Sequence, residues 1–345
     1  MSYVKNSWYV AGWDEEFSSG KPIARTLLDH PLVLFRTKDG NVAALVDRCP
    51  HRAVPLSMGT LTPECRIKCP YHGLEFDSKG ICVHNPHIAG APGRLSTPHF
   101  ATATKHGAIW LWNGDPEAAD PSRIPDYSYL DQPGYAVVHG LMNVKANFRL
   151  VIDNLLDLSH AEYIHQNTVG TPGASASVKA LVEVGDNQLT VYRRLFNLPP
   201  SAVFKPYWHK TERIDQYSNM TWFAPSNLKL NLAITAPKPE EGFKFNPDDG
   251  YHFPSAHLLT PQSESSTLYF YAIARNFMVK DEGLSEKIRQ FFVQAFEGED
   301  RPVIEAVQRR LADDVSSSFR FADFTPGDGA ASRARRMIEK LLETV

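Results

Sequence analysis

Residues 49–72 read CPHRAVPLSMGTLTPECRIKCPYH, and the two ends of this stretch are chemically alike. Each offers one cysteine and one histidine: Cys49-x-His51, then seventeen residues, then Cys69-x-x-His72. A structural zinc site groups its ligands otherwise, as C-x2–4-C with H-x3–5-H. Two equivalent loops suit a two-metal cluster better. One iron takes both thiolates, Cys49 and Cys69, and the other takes both imidazoles, His51 and His72.

That donor set is the one a Rieske [2Fe–2S] centre uses, in which neutral histidines replace two thiolates and raise the potential. Pro50 and Pro70 would stiffen the two loops. Gly73 would let the backbone pass close to the cluster. The chain has only four cysteines, all between positions 49 and 82, which excludes a secreted disulfide scaffold. Cys65 and Cys82 lack a histidine at ligand spacing and read as buried small hydrophobes, with a Cys65–Cys82 disulfide as the alternative.

The 345 residues allow two domains, and a formal net charge of −3 points to neither nucleic acid nor a polybasic membrane anchor. No apolar run approaches the ~20 residues that span a bilayer. The start has no signal-peptide pattern, so the cytoplasm is the expected address. Residues 1–134 carry short β-rich runs (PLVLFRT, NVAALVD, GLEFDS, AIWLWNG) followed by a polar, Pro-rich connection over 114–134. Residues 135–345 read as a helix over 147–163, then strands, then closing helices LSEKIRQFFVQAF–RPVIEAVQRRLADD and SRARRMIEKLLETV. The fold class is α+β, with an all-β first domain. Arg333, Arg335 and Arg336 read as the solvated face of the last helix.

A second constellation lies on the 147–163 helix. Asn154, Asp157 and His160 fall at i, i+3 and i+6 on one face. His165 follows His160 by five residues, about 500° of helical rotation. The two histidines can share a metal only if the helix ends or distorts near Tyr163. A 2-His-1-carboxylate site with open positions suits non-haem Fe(II). Spacing does not fix the carboxylate: EGEDRPVIEAVQRR offers Glu297, Glu299, Asp300 and Glu305.

CPHRAVPLSMGTL with CPYHGLEFDSKG resembles the Rieske domain of the Rieske non-haem iron oxygenases, in the group of vanillate and dicamba O-demethylase oxygenase components. The resemblance runs from NSWYVAGWDEE almost to the end. NLLDLSHAEYIH is similar to that family's N-x-x-D-x-x-H-x4-H motif, and EDRPVIEA to its later Asp segment. It implies His160, His165 and Asp300 as iron ligands and a helix-grip catalytic domain. Asp157 is then the link that passes electrons from His72 of one subunit to His160 of the next in a homotrimer, and Asn154 lies near the iron.

The resemblance further implies an aromatic substrate, O2, and electrons from NAD(P)H through a separate reductase, with or without a ferredoxin. The chain has no G-x-G-x-x-G of its own after a strand. The expected reaction is O-demethylation of a methoxylated aromatic acid to a phenol and formaldehyde, within aromatic catabolism. Hydroxylation of a methyl or ring carbon is the alternative. A Rieske electron carrier and a zinc-stabilised binding module are the readings from other classes. Asn231 and His257, polar in apolar strand-like context, are the expected substrate contacts, and Phe291 and Phe292, on the helix before Asp300, are expected to line the pocket; each has an ordinary structural reading as well.

Overall fold

Brief β-rich runs broken by turns cannot each bury a face alone, so they pair. The computed structural model describes residues 3–88, 94–166, 168–171, 173–174, 178–201, 203–238, 242–314, 321 and 328–343. They form two compact units: residues 1–126 with 260–263, and residues 127–259 with 264–344.

In the first unit Ser7–Trp13 pairs with Ala108–Asn113, which pairs with Thr102–Lys105. A second sheet runs Ile23–Leu27, His30–Arg36, Val42–Val46 and His99–Phe100. A third is built of very short strands: Thr60–Leu61, Ile67–Lys68, Glu75–Phe76 and Cys82–His84. Val33, Phe35, Leu45, Leu56, Ile67 and Phe76 share one core with Cys49, Cys69 and Cys82. Burying each large apolar side chain there stabilises by about 1.5–3 kcal/mol, and the metal-ligand loops rest on that core. All four cysteines are free thiols. Cys82 is buried as expected, but Cys65 is half-buried, at a turn with φ +56°.

The second unit is built on one eight-stranded sheet. Its order is Ala136–Val144, Ser266–Arg275, Ser255–Ser263, Asn227–Thr235, Ile214–Phe223, Gln188–Leu198 and Val178–Val184, with Gly250–His252 also paired to Asn227–Thr235. This antiparallel sheet with helices is the α+β architecture expected.

The helix expected over 147–163 is shorter than its periodicity suggests. Asn147 caps it, accepting from the Arg149 N–H at 3.0 Å, and Phe148–Leu156 buries Phe148, Val151, Ile152, Leu155 and Leu156. At Asp157 the backbone leaves the helix (φ −106°, ψ 82°); a 3-10 turn, Leu158–His160, and a four-residue helix, Ala161–Ile164, follow.

Near the C-terminus Glu282–Val293 runs through a π-helical segment, Gln294–Asp300, into Arg301–Asp313. Pro302 explains the widening: it lacks an N–H, and in an α-helix its ring would press on the carbonyl four residues back, Gly298. The Arg301 N–H instead reaches the Phe296 carbonyl, five residues back. The last helix is Asp328–Glu343. Of its three arginines, Arg333 and Arg336 are exposed, but Arg335 pairs with Asp153 on the first helix at 3.0 Å, so the solvated-face reading fails there. Among the described residues no helix is long and apolar enough to cross a membrane.

Candidate metal centres and the adjoining cavity

The two cysteine–histidine loops copy each other. The Cys49 N–H donates to the Val54 carbonyl at 2.9 Å, and the Ala53 N–H to the Cys49 carbonyl at 2.8 Å. In the second loop the Cys69 N–H donates to the Leu74 carbonyl at 2.8 Å, and the Gly73 N–H to the Cys69 carbonyl at 3.1 Å. Ala53 and Gly73, equivalent in the two turns, sit at φ +58° and +73°. The left-handed backbone is what a glycine at 73 provides without strain.

These turns sort the side chains by type. Cys49 and Cys69 are both buried. Burial pushes the Cys49 thiol up, and the adjoining Cys69 adds to the shift. On the other side the His51 and His72 rings stand 4.6 Å apart at 62°. His72 Nδ1 is buried with no hydrogen-bond partner, the state expected of a nitrogen reserved for a metal. A single tetrahedral ion would draw all four ligand atoms together. Among the described residues, however, the group whose ligand atoms gather closely enough for one ion lies elsewhere. A thiol pair facing an imidazole pair, with an orphaned nitrogen, fits a two-iron cluster.

That other group is His160, His165 and Asp300, whose ligand atoms lie within 4.8 Å of one another. His160 Nε2 is 3.5 Å from Asp300 Oδ1, and His165 Nε2 is 3.3 Å from Asp300 Oδ2. The two histidines bracket the four-residue helix Ala161–Ile164, which ends at His165 (φ −107°, ψ 30°), close to the end required near Tyr163. The earlier break at Asp157 takes Asp157 off the helical face of Asn154. Asp157 caps the 3-10 turn, its side chain accepting from the Ser159 N–H at 3.0 Å, while its carbonyl meets His160 Nδ1 at 2.6 Å. Asn154 remains on the helix and donates to Asp300 Oδ1 at 3.1 Å.

Glu299, weighed above only as one of four possible ligands, has a different position. Its Oε2 meets His165 Nδ1 at 2.7 Å and accepts from the Thr168 hydroxyl at 2.6 Å. Each imidazole thus has Nδ1 held by the protein and Nε2 turned to the common point, the outer-layer arrangement of histidine metal sites. Burial lowers the pKa of His160, partly offset by Asp300, which favours the neutral imidazole a metal requires. For His165 burial also acts downward, but Asp300 and Glu299 outweigh it and the net shift is up. The three side chains fit a mononuclear iron.

A cavity of about 110 Å³ opens beside them, largely apolar, with Leu155, Leu232, Phe253, Phe292 and Phe296 in its wall. His257 lines it, wholly buried between Ser255 Oγ (2.9 Å) and the Tyr269 hydroxyl. Two expected contacts lie elsewhere. Leu230 and Leu232 face the cavity, so strand alternation turns Asn231 to the other side of the sheet. Phe292, not Phe291, lines the wall, because consecutive helical positions point about 100° apart.

Comparison with known proteins agrees with this geometry. Residues 7–100 match the Rieske [2Fe-2S] domain, and residues 144–344 match the vanillate O-demethylase oxygenase C-terminal domain. The oxygenase component of dicamba O-demethylase from Stenotrophomonas maltophilia is 39% identical over 99% of this chain and 98% of its own. The iron-sulfur subunit of the toluene-4-sulfonate monooxygenase system of Comamonas testosteroni is 35% identical over 90% of this chain and 89% of its own. A crystal structure of dicamba monooxygenase bound to dicamba superposes with a TM-score of 0.91 at 38% identity, covering 100% of this chain and 99% of that one.

Proposed function

The chain belongs to the Rieske oxygenases that carry the vanillate O-demethylase oxygenase C-terminal domain, and from that premise we propose that it O-demethylates a methoxylated aromatic acid. It is a Rieske-type non-haem iron monooxygenase component, and its cofactors are a [2Fe–2S] cluster and a mononuclear iron. In this proposal Cys49 and Cys69 hold one cluster iron and His51 and His72 the other, within residues 1–134. His160, His165 and Asp300 hold the mononuclear iron, within residues 135–345. The observation that carries the reading is that these three donors line an apolar cavity fit for an aromatic ring.

Bound iron would supply the site at which O2 is reduced beside the substrate. The protein does the rest. Asn154 steadies Asp300, Asp157 and Glu299 fix the two imidazoles, and Phe292 and Phe296 keep water from the ring. One oxygen atom enters a methoxy C–H bond, and the hemiacetal collapses to a phenol and formaldehyde. The other oxygen leaves as water, with two electrons and two protons consumed. The electrons come from NAD(P)H through a separate reductase, with or without a ferredoxin. Names such as oxygenase component, borne by its relatives, support a chain that depends on another protein for them. In a homotrimer each electron crosses from His72 of one subunit to Asp157 and His160 of the next. A cytoplasmic address is in keeping with four free thiols.

Methyl hydroxylation is the second reading, favoured by the similarity to a toluene-4-sulfonate monooxygenase subunit. Turnover with a reductase and NADH on methoxylated and methylated aromatic acids separates the two. Formaldehyde equal to phenol is the expected outcome. A hydroxylated product from a methylated acid, with no formaldehyde from any methoxy compound, would replace it.

A further inference from the structure

We infer that Arg193, with Ser218 beside it, is the anion-recognition corner of the cavity and makes charge on the substrate a condition of tight binding. The inference rests on the oxygenase reading above and names the residue that selects its substrate.

Arg193 and Arg194 are consecutive on the strand Gln188–Leu198, so their side chains leave opposite faces of the sheet. Arg194 has its two terminal nitrogens engaged. It pairs with Asp215 at 2.7 Å, donates to the Gly242 and Lys238 carbonyls, and lies over Phe196 and Tyr217. Arg193 points into the cavity instead. Among the described residues it has no hydrogen bond and no carboxylate within ion-pair distance. Asp157 is the one acidic group whose charge acts on it, and burial lowers its pKa. An arginine left half-buried in an apolar wall without a partner is costly unless a ligand supplies one.

The neighbour completes the corner. The pairs Val191↔Met220 and Arg194↔Tyr217 set Arg193 opposite Ser218 on the adjacent strand, and Ser218 also lines the cavity. The Ser218 oxygen accepts from Gln216 Nε2 at 3.3 Å, which leaves its own proton to donate. A guanidinium and a hydroxyl together match a carboxylate or a sulfonate.

Among the described lining residues Arg193 is the only lysine or arginine. His257, the expected contact, has both ring nitrogens engaged by Ser255 and Tyr269, and burial takes its pKa down to about 3. It is neutral and cannot balance an anion. Of the two lining carboxylates, Asp300 is held by Asn154 and the two histidines, and Glu162 accepts from the Gly173 N–H at 2.7 Å.

The test is anaerobic binding of 4-methoxybenzoate, its methyl ester and toluene-4-sulfonate to the iron-loaded oxygenase, followed by tryptophan fluorescence. The readout is the acid-to-ester affinity ratio, with visible absorbance and iron content checking that each variant is intact. The wild type should favour the anions. Arg193→Gln should lower the ratio by about 30-fold or more, Arg193→Lys should keep part of it, and Ser218→Ala should lower it a few-fold. A wild type that does not favour the anions overturns the inference. So does an Arg193→Gln that keeps the ratio, or that weakens acid and ester alike, since Arg193 would then merely shape the wall. O2 uptake with neutral aromatics alone would overturn the inference and leave the oxygenase reading standing. Arg193-dependent anion binding without O2 uptake from any compound would do the reverse.

Discussion

Glu299 and Asp300 are neighbours in sequence and meet the same imidazole from its two sides, at His165 Nδ1 and Nε2. One carboxylate faces the metal position and the other fixes the ring. Glu299→Ala frees Nδ1, and mononuclear iron affinity should fall by about 10–100-fold. Iron retained against a chelator measures this, and the cluster absorbance should not change. His257 gives a second prediction. Its folded pKa of about 3 lies below the ~6.5 of an unfolded histidine, so its contribution is fully present above about pH 6.5 and lost as pH falls toward 3. His257→Gln should flatten the acid side of the Tm–pH profile. At this scale the sequence is legible where ligands are close along the chain, as in the two Cys–His loops. Glu299 was visible only as one acid among four, because its role depends on how a helix turns.

At the scale of elements, two irregularities build the iron site. The helix that restarts after Asp157 ends again at His165, which sets His160 and His165 at the two ends of Ala161–Ile164, and the π segment Gln294–Asp300 delivers the carboxylates. Strand runs could be read from the sequence because alternation and turn residues agree there. A helix end near Tyr163 follows from the His160–His165 spacing and is found at Ile164, but the earlier break could not be read: the apolar spacing of 148, 151, 152, 155 and 156 continues to Leu158, and nothing in it records a backbone that leaves the helix at Asp157. The π segment had a signal, Pro302, whose ring does not fit four residues after an ordinary carbonyl. Deleting Gly298 should turn Asp300 by about 100° and empty the mononuclear site. Iron per chain should then drop while labile sulfide stays constant.

For the whole molecule, the proposed electron path leads from His72 of one subunit through Asp157 to His160 of the next. Asp157→Asn keeps the local cap geometry and should keep both metals. Turnover driven by NAD(P)H and reductase should fall by about 10–100-fold; wild-type rates would remove Asp157 from the path. The cavity was the least legible feature, since its wall is drawn from helices and strands distant in sequence. Asn231 and Phe291 failed as lining residues for that reason: each is one position off the face that points inward.

The most direct test is the iron and acid-labile sulfide content of the purified chain and two variants. The wild type should hold three irons and two sulfides per chain, roughly, two of the irons in the cluster. Asp300→Ala should hold two irons and two sulfides, and Cys49→Ser should lose both sulfides. Zinc without sulfide in the wild type, or an Asp300→Ala that still holds its third iron, would contradict the assignment of two separate centres to these residues.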